Sequence, residues 1–143
     1  MLDLQGYGWL LLKGAKLTVY VGLSAMVIAI FLGLIGALCK ISRIKLIAFL
    51  ANLYTTIIMG IPELVLILLV YSINPFVAGV ATIGFIYGAF STEVFRGAYM
   101  AVPKGQIEAA RACGMSPSLT FRRVTLPQMW RFALPGLGNV WMV

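Results

Sequence analysis

Acidic side chains are scarce in this sequence, with only four aspartates and glutamates in 143 residues. Two of them, Glu63 and Glu93, lie in or beside long apolar runs, and the chain has no histidine. A carboxylate at the centre of a membrane helix costs about 2.5 kcal/mol or more, so such a residue normally faces a bundle interior or a cavity. Either glutamate could therefore meet a cationic ligand. Two alternatives stay open: Glu93 could pair with Arg96, three residues on, and Glu63 could lie near the outer surface.

The sequence lacks the residues of a metal site or a nucleotide site. Without histidine, Cys39 and Cys113 cannot form a Cys/His cluster. We interpret both as small apolar residues on the reducing, cytoplasmic side. No Gly-x4-Gly-Lys-Ser/Thr run occurs anywhere in the chain. We therefore expect no catalytic residue, no metal and no cofactor.

The elements that carry these residues have a membrane composition. Residues are 62% hydrophobic and 10% charged, whereas about a quarter are charged in an average soluble domain. The run 17–39 has no charge and reaches roughly 35 Å as a helix, enough to cross a ~30 Å hydrocarbon layer. The alternative, a buried helix of a large soluble protein, is disfavoured because two more such runs follow.

The chain is predicted to be an all-α, polytopic membrane helix bundle. Gly22, Gly33 and Gly36 give the first span small surfaces for close packing. Pro62 predicts a kink or break in the second span, and Asn74-Pro75 is the outer turn after it. Because the sequence stops within a fourth apolar run, we expect it to be a fragment. The predicted segments are spans at 17–39, 46–71 and 76–95, a cytoplasmic loop at 102–126, and the start of a fourth span at 127–143.

The net charge is +7, and the distribution of the cations along the chain predicts the orientation of the spans. With three crossings, nine of the eleven cations share one side, which the positive-inside rule makes the cytoplasm. The N-terminus then lies outside; Lys13 and Lys16 on the outer flank are counter-evidence, partly offset by Asp3. The nine are Lys40, Arg43, Lys45, Arg96, Lys104, Arg111, Arg122, Arg123 and Arg131.

Two helix signals occur in the cytoplasmic segment. Pro103 suits a first helical position and Gly114 suits the C′ position after a helix. Ser116-Pro117 repeats the start signal, with serine at the N-cap. We predict two short helices around a glycine turn. Small residues leave a surface that another protein can approach closely: Ala109, Ala110 and Gly114.

This segment resembles the "EAA" cytoplasmic loop of ABC-importer permeases. The matching residues are Glu108-Ala109-Ala110, then Gly114 after three residues, Val124 after nine, and Leu126-Pro127 after one. Isoleucine is usual in place of Val124. The resemblance implies a coupling helix that sits in a cleft of the ATP-binding subunit. Its implied contact residues are Glu108, Ala109, Ala110, Arg111 and Gly114.

Most of the chain is similar to polar amino acid permeases, especially the histidine/lysine-arginine-ornithine and octopine/nopaline types. The similar segments are 54–63, 84–89, 92–98 and 127–136. The resemblance implies a type I permease fold of about five spans when complete, and a substrate pathway with Glu93, Glu63 and Thr56. Three features depart from the branch: Met59 replaces the usual arginine, the outer loop at Asn74-Pro75 is short, and the C-terminal spans are absent.

The implied function is a non-catalytic subunit of an ATP-driven importer in a bacterial cytoplasmic (inner) membrane. It would carry a polar amino acid of the basic class: histidine, arginine, lysine or an opine. The implied partners are two copies of an ATP-binding subunit, a second permease subunit, an external amino-acid-binding protein and the lipid bilayer.

Two alternatives belong to other functional classes. In a proton-coupled secondary transporter, Glu93 would relay the proton. A DNA-binding helix-turn-helix at 103–124 is disfavoured, because its polar side chains form no clear recognition face and we expect no nucleic-acid partner. Those side chains are Gln106, Arg111, Arg122 and Arg123.

Overall fold

A computed structural model describes residues 7–70 and 75–142, and this part of the chain contains helices and no strand. The all-α class is confirmed. In chain order the helices are α1 (Gly8–Ile41), α2 (Lys45–Gly60), α3 (Glu63–Val70), α4 (Pro75–Ala101), α5 (Lys104–Ala112), α6 (Pro117–Thr120), a π-helical turn (Phe121–Thr125) and α7 (Leu126–Met142).

Helices α1 and α4 form the centre of the fold. Every buried residue of α1 is small, and these residues recur at a spacing of four: Ala25, Ala29, Gly33 and Ala37. A Cβ atom on Gly33 would overlap Ser91 of α4, and one on Gly36 would overlap Thr92. Lipid supplies no hydrophobic force between helices, so such close backbone approach is what holds them together. The close packing predicted at Gly33 and Gly36 is confirmed, whereas Gly22 meets Trp141 at an ordinary 3.7 Å.

Helix α7 packs against α4 through an apolar cluster. Phe95 is fully buried there, and its ring stacks on Trp130 with 5.7 Å between the ring centroids. This cluster fixes the C-terminal end of α4, which leads into α5. Its buried members are Ala37, Phe95, Ala98, Val102, Met129, Ala133 and Leu137.

The second apolar run is broken where proline predicts it. Helix α2 ends at Gly60, α3 begins at Glu63, and the two are bent by 95°. Pro62 has no N–H to continue the α2 hydrogen-bond ladder, and the Ile61 N–H donates instead to the carbonyl of Ile58. The predicted turn at Asn74 lies outside the described residues.

Two described helices, α1 and α4, are long and apolar enough to cross a membrane, and the bent pair of α2 and α3 makes a third if it counts as one span. Both helices extend beyond the apolar runs at 17–39 and 76–95. The extension of α4 carries Arg96 and leads within three residues to α5. Helix α5 is thereby joined by a short link to the helix that carries Glu93.

Candidate functional site

Helix α5 ends in a glycine turn. The Gly114 N–H donates to the Arg111 carbonyl at 2.9 Å, and the Met115 N–H donates to the Ala110 carbonyl at 3.1 Å. Gly114 has a φ of +79°, a conformation that residues with a Cβ rarely adopt. The predicted C′ position of Gly114 is confirmed. Pro103 is the N-cap rather than the first helical residue, a shift of one position.

The outer face of α5 is small and charged. Glu108, Ala109 and Arg111 are exposed, and a Cβ atom on Gly114 would meet nothing within 4 Å. Glu108 takes part in neither of the two ion pairs formed by the described residues. Ala110 differs from the expectation, because it is only 6% exposed and packs inward. The open face of α5 therefore consists of Glu108, Ala109, Arg111 and Gly114.

The inner face of α5 is attached to the membrane helices at two points. Ile107 packs against the apolar cluster of α1, α4 and α7. The Gln106 side-chain carbonyl accepts a hydrogen bond of 2.9 Å from the amide of Gln128 in α7. No motif in the sequence points to Gln128 as a contact of α5. These two contacts connect α5 to the membrane helices, in addition to the chain that continues through α6 and the π-helical turn into α7.

The second predicted short helix is part of a longer one. Ser116 caps it as predicted, accepting a hydrogen bond from the Leu119 N–H, and Pro117 is its first residue. Helix α6 then continues through the π-helical turn into α7. The wider turn precedes Pro127, which has no N–H for a regular α-helical bond. The Leu-Pro pair therefore lies inside a continuous helix and does not start one.

Glu93 is held by two cations. One carboxylate oxygen bonds Lys40 Nζ from the end of α1, and the other accepts a 2.8 Å hydrogen bond from Arg96 Nε. The Lys40 side chain is 5% exposed, against 28% for Glu93 and 41% for Arg96. The pairing with Arg96 that was left open is present. The additional contact with Lys40, 53 residues away, could not be found from local spacing.

Glu63 and Thr56 lie elsewhere, both with exposed side chains. One Glu63 carboxylate oxygen accepts a 3.0 Å hydrogen bond from the Tyr87 hydroxyl. Tyr87 and Glu93 are six residues apart on α4, about 9 Å along the helix. The structure therefore gives the two glutamates separate partners at separate depths. Sequence reasoning missed Tyr87, which lies in an apolar stretch that offers no signal.

Comparison with known proteins identifies the family. Residues 17–143 match the family described as binding-protein-dependent transport system inner membrane component. The histidine/lysine/arginine/ornithine transport system permease protein HisQ of Escherichia coli (strain K12) is 45% identical over 98% of this chain and 70% of its own length. The nopaline transport system permease protein NocQ of Agrobacterium fabrum is 43% identical over 95% of this chain and 66% of its own length.

A solved structure is similar as well. The crystal structure of an amino acid ABC transporter with histidines matches with a TM-score of 0.79 and 35% identity, over 92% of this chain and 68% of the other. At 35% identity the two chains are similar in sequence as well as in fold. The chain therefore belongs to the binding-protein-dependent transport system inner membrane components, as a permease subunit of the amino acid ABC importer type.

Proposed function

We propose that this chain forms the translocation pathway for a basic amino acid and receives movement from a separate ATP-hydrolysing subunit through α5. The observation that carries the proposal is the construction of α5. Its outer face is open and ends in a turn at Gly114 with a positive φ, while Ile107 and Gln106 on the other side join it to the membrane helices. Nothing in the family match supports the proton-coupled alternative.

The substrate class rests on the relatives. HisQ is named for histidine, lysine, arginine and ornithine, and ArtQ of Escherichia coli, 30% identical to this chain, is named for arginine. Histidine, lysine, arginine and ornithine all carry or can carry a cation on the side chain. Carboxylates within the apolar runs are candidates to lie along a pathway for such cations.

The proposed assembly has two ATP-binding subunits, a second permease that is identical or paralogous, and an external amino-acid-binding protein. The crossings are assigned to 17–39, 46–71 with its break, 76–95 and the segment from 127. The N-terminus is placed outside and the loop 102–126 in the cytoplasm. The clustering of basic residues after the first and third crossings supports this orientation.

The proposed contact surface for the ATPase is the open face of α5. Glu108 supplies a carboxylate outside both ion pairs of the described residues, Arg111 a cation, and Ala109 and Gly114 allow close approach. Ala110 lies on the buried side of α5. The proposed substrate pathway includes Glu63 and Thr56. Glu93 is also included in the proposed pathway. Its carboxylate is engaged by Lys40 and Arg96, and the Lys40 contact holds α1 against α4.

Substitution of Gly114 tests the contact surface, with Gly114→Asp and Gly114→Asn as a matched pair. Both side chains have the same size, and both residue types tolerate a positive φ better than most, so the local fold is affected equally. We expect Gly114→Asp to retain at least tenfold less ATPase on co-purification than Gly114→Asn, because only the aspartate adds a negative charge to the proposed contact surface. Equal retention of the ATPase by wild type and Gly114→Asp, with normal membrane insertion and transport, would refute the assigned surface.

A further inference from the structure

Helices α1 and α2 contact each other but leave an apolar groove between them. Four residues of each helix line it, and both sets have the spacing i, i+3, i+4 and i+7. This spacing places each set along one face of its helix, so the groove follows both helices for about 10 Å. The lining residues are Leu32, Ile35, Gly36 and Cys39 of α1, and Ile47, Leu50, Ala51 and Tyr54 of α2.

The groove is closed at the end that is farthest from the turn between the two helices. There the Tyr54 ring packs on Phe85 of α4 with 4.9 Å between the ring centroids, and the Tyr54 hydroxyl donates a 2.6 Å hydrogen bond to the Phe85 carbonyl. The hydroxyl is thereby satisfied within the protein. The described residues leave about 360 Å³ in the groove and put no charged side chain into its lining. Such a space suits a hydrocarbon chain.

The groove is open along its side. The side chains of Ile35 and Leu50 line it and are still 43% and 55% exposed. The small residues Gly36 and Ala51 account for the space between the helices. An acyl chain can therefore enter sideways from the surrounding lipid, without passing through the protein.

The other end of the groove lies at the basic turn between α1 and α2. Arg43 is exposed there, four residues after Cys39 and four residues before Ile47, which are the last lining residues on each side. Arg43 takes part in neither ion pair of the described residues, whereas Lys40 is engaged by Glu93. The mouth of the groove thus has a cation that is available for an anionic group.

We propose that this groove binds an anionic phospholipid, with one acyl chain between α1 and α2 and the phosphate group at Arg43. A guanidinium matches a phosphate through paired hydrogen bonds, and basic pockets between membrane helices bind anionic headgroups. A zwitterionic lipid is less suitable, because it carries its own cation beside the phosphate. The inference goes beyond the proposed function and depends neither on the substrate nor on the side of the membrane that the turn faces.

Thermal stability tests the headgroup preference with the groove unaltered. The full-length permease, purified in detergent with its partner permease and ATP-binding subunits, is heated with added phosphatidylglycerol or phosphatidylcholine. We expect phosphatidylglycerol to raise the thermal midpoint by several degrees more than phosphatidylcholine. Glycerol 3-phosphate, which has a phosphate and no acyl chain, should leave the midpoint unchanged.

Two neighbouring cations provide a matched pair of variants. Helical periodicity places Lys45 on the opposite side of α2 from Leu50 and Ala51, although it belongs to the same turn as Arg43 and is equally exposed. Arg43→Gln and Lys45→Gln each remove one positive charge. Only Arg43→Gln should abolish the preference for phosphatidylglycerol, and both variant complexes should elute like the wild type in size-exclusion chromatography.

Quenching by brominated lipids locates the acyl chain. Leu50→Trp places an indole at the rim of the groove, and Phe49→Trp places one at the adjacent exposed position, outside the lining. Both complexes are reconstituted in phosphatidylcholine vesicles with a small fraction of brominated phosphatidylglycerol, and the parent complex gives the background of the native tryptophans. We expect at least twofold stronger quenching in Leu50→Trp than in Phe49→Trp. Brominated phosphatidylcholine at the same fraction should quench both equally.

Each opposite result would overturn the site. Equal midpoints with the two lipids, or equal losses in Arg43→Gln and Lys45→Gln, would leave no specific headgroup contact. A midpoint raised equally by glycerol 3-phosphate would show a phosphate site without a lipid chain. Equal quenching of the two indoles by brominated phosphatidylglycerol would place the lipid outside the groove. Weaker quenching of Leu50→Trp than of Phe49→Trp by both lipids would show that a protein segment fills the groove instead.

Discussion

Lys40 contributes both to the charge distribution that predicts the orientation and to the packing of two helices. Only the first contribution can be seen in the sequence. Its position after the first apolar run makes it part of the positive charge that orients the chain. In the structure its side chain is 5% exposed and reaches Glu93 of α4. A lysine so deeply buried needs its counter-charge, because an unpaired buried ammonium is costly. The Lys40–Glu93 pair therefore also holds the C-terminal parts of α1 and α4 together.

Substitution Glu93→Gln should destabilise the fold by leaving Lys40 without its partner. Removing one member of a buried pair costs 3–5 kcal/mol, and partial exposure of Glu93 reduces this to roughly 2–4 kcal/mol here. The thermal midpoint of the purified complex, followed by tryptophan fluorescence, should fall by several degrees. The double variant Lys40→Met with Glu93→Gln should recover most of the loss. An unchanged midpoint in the single variant would show that Lys40 finds water or another partner.

Local spacing predicts only some of the residue contacts. The pair of Glu93 and Arg96 is three residues apart on one helix, so the sequence shows it directly. The contacts of Glu93 with Lys40 and of Glu63 with Tyr87 span 53 and 24 residues. Both depend on how separate helices are aligned, which no local pattern encodes. The two residues that bring the glutamates into a network were therefore missed.

At the scale of elements, the stripe of small residues on α1 explains why it makes its most extensive packing with α4. Ala25, Ala29, Gly33 and Ala37 recur every four residues, so they lie along one face. The opposite face of α1 is large and exposed, as a lipid-facing surface should be. The glycines on this helix were recognised from the sequence, but the alanines were not, because alanine is common in any helix.

Two glycine-to-alanine substitutions within α1 should have opposite effects. At Gly33 the added Cβ would lie 2.9 Å from the backbone carbon of Ser91, so α1 and α4 must separate. Overpacking of this kind costs about 1–3 kcal/mol. At Gly14 nothing lies within 4 Å, and alanine should be neutral or gain up to about 1 kcal/mol in helix propensity. Thermal midpoints of the two variants test this, and equal midpoints would contradict the close approach of α1 and α4.

The continuity of α6 with α7 shows where local signals fail for whole elements. Ser116-Pro117 marks a helix start correctly, and Pro127 gives a second, equally valid local start signal. In the structure a π-helical turn at Phe121–Thr125 precedes Pro127, and the helix continues without interruption into α7. A proline can be accommodated by a change of helical register as well as by a new helix. The sequence cannot distinguish these, because the choice depends on the packing of α7 against α4.

At the scale of the whole molecule, the class was predictable because composition determines it. Long uncharged runs must be solvated by lipid, and only helices or closed barrels satisfy their backbone there. The spatial order of the helices is a different matter. Helix α1 packs mainly on α4 and less on its sequence neighbour α2, an arrangement set by matching small surfaces in distant segments.

The orientation of the molecule is testable through its own cysteines. Cys113 is exposed at the end of α5, whereas Cys39 is partly buried. If the basic face is cytoplasmic, a membrane-impermeant maleimide should leave Cys113 unlabelled in intact cells and label it in inside-out vesicles. The variant Cys39→Ser removes the second thiol, and Tyr7→Cys in a background without either native cysteine reports the opposite end of α1. That reporter should be labelled in intact cells.

Because Cys113 adjoins the open face of α5, purified ATPase added to the vesicles should slow its labelling severalfold, while labelling of Tyr7→Cys should not change. Labelling of Cys113 from outside intact cells would contradict the orientation and place α5 beyond the reach of any cytoplasmic motor.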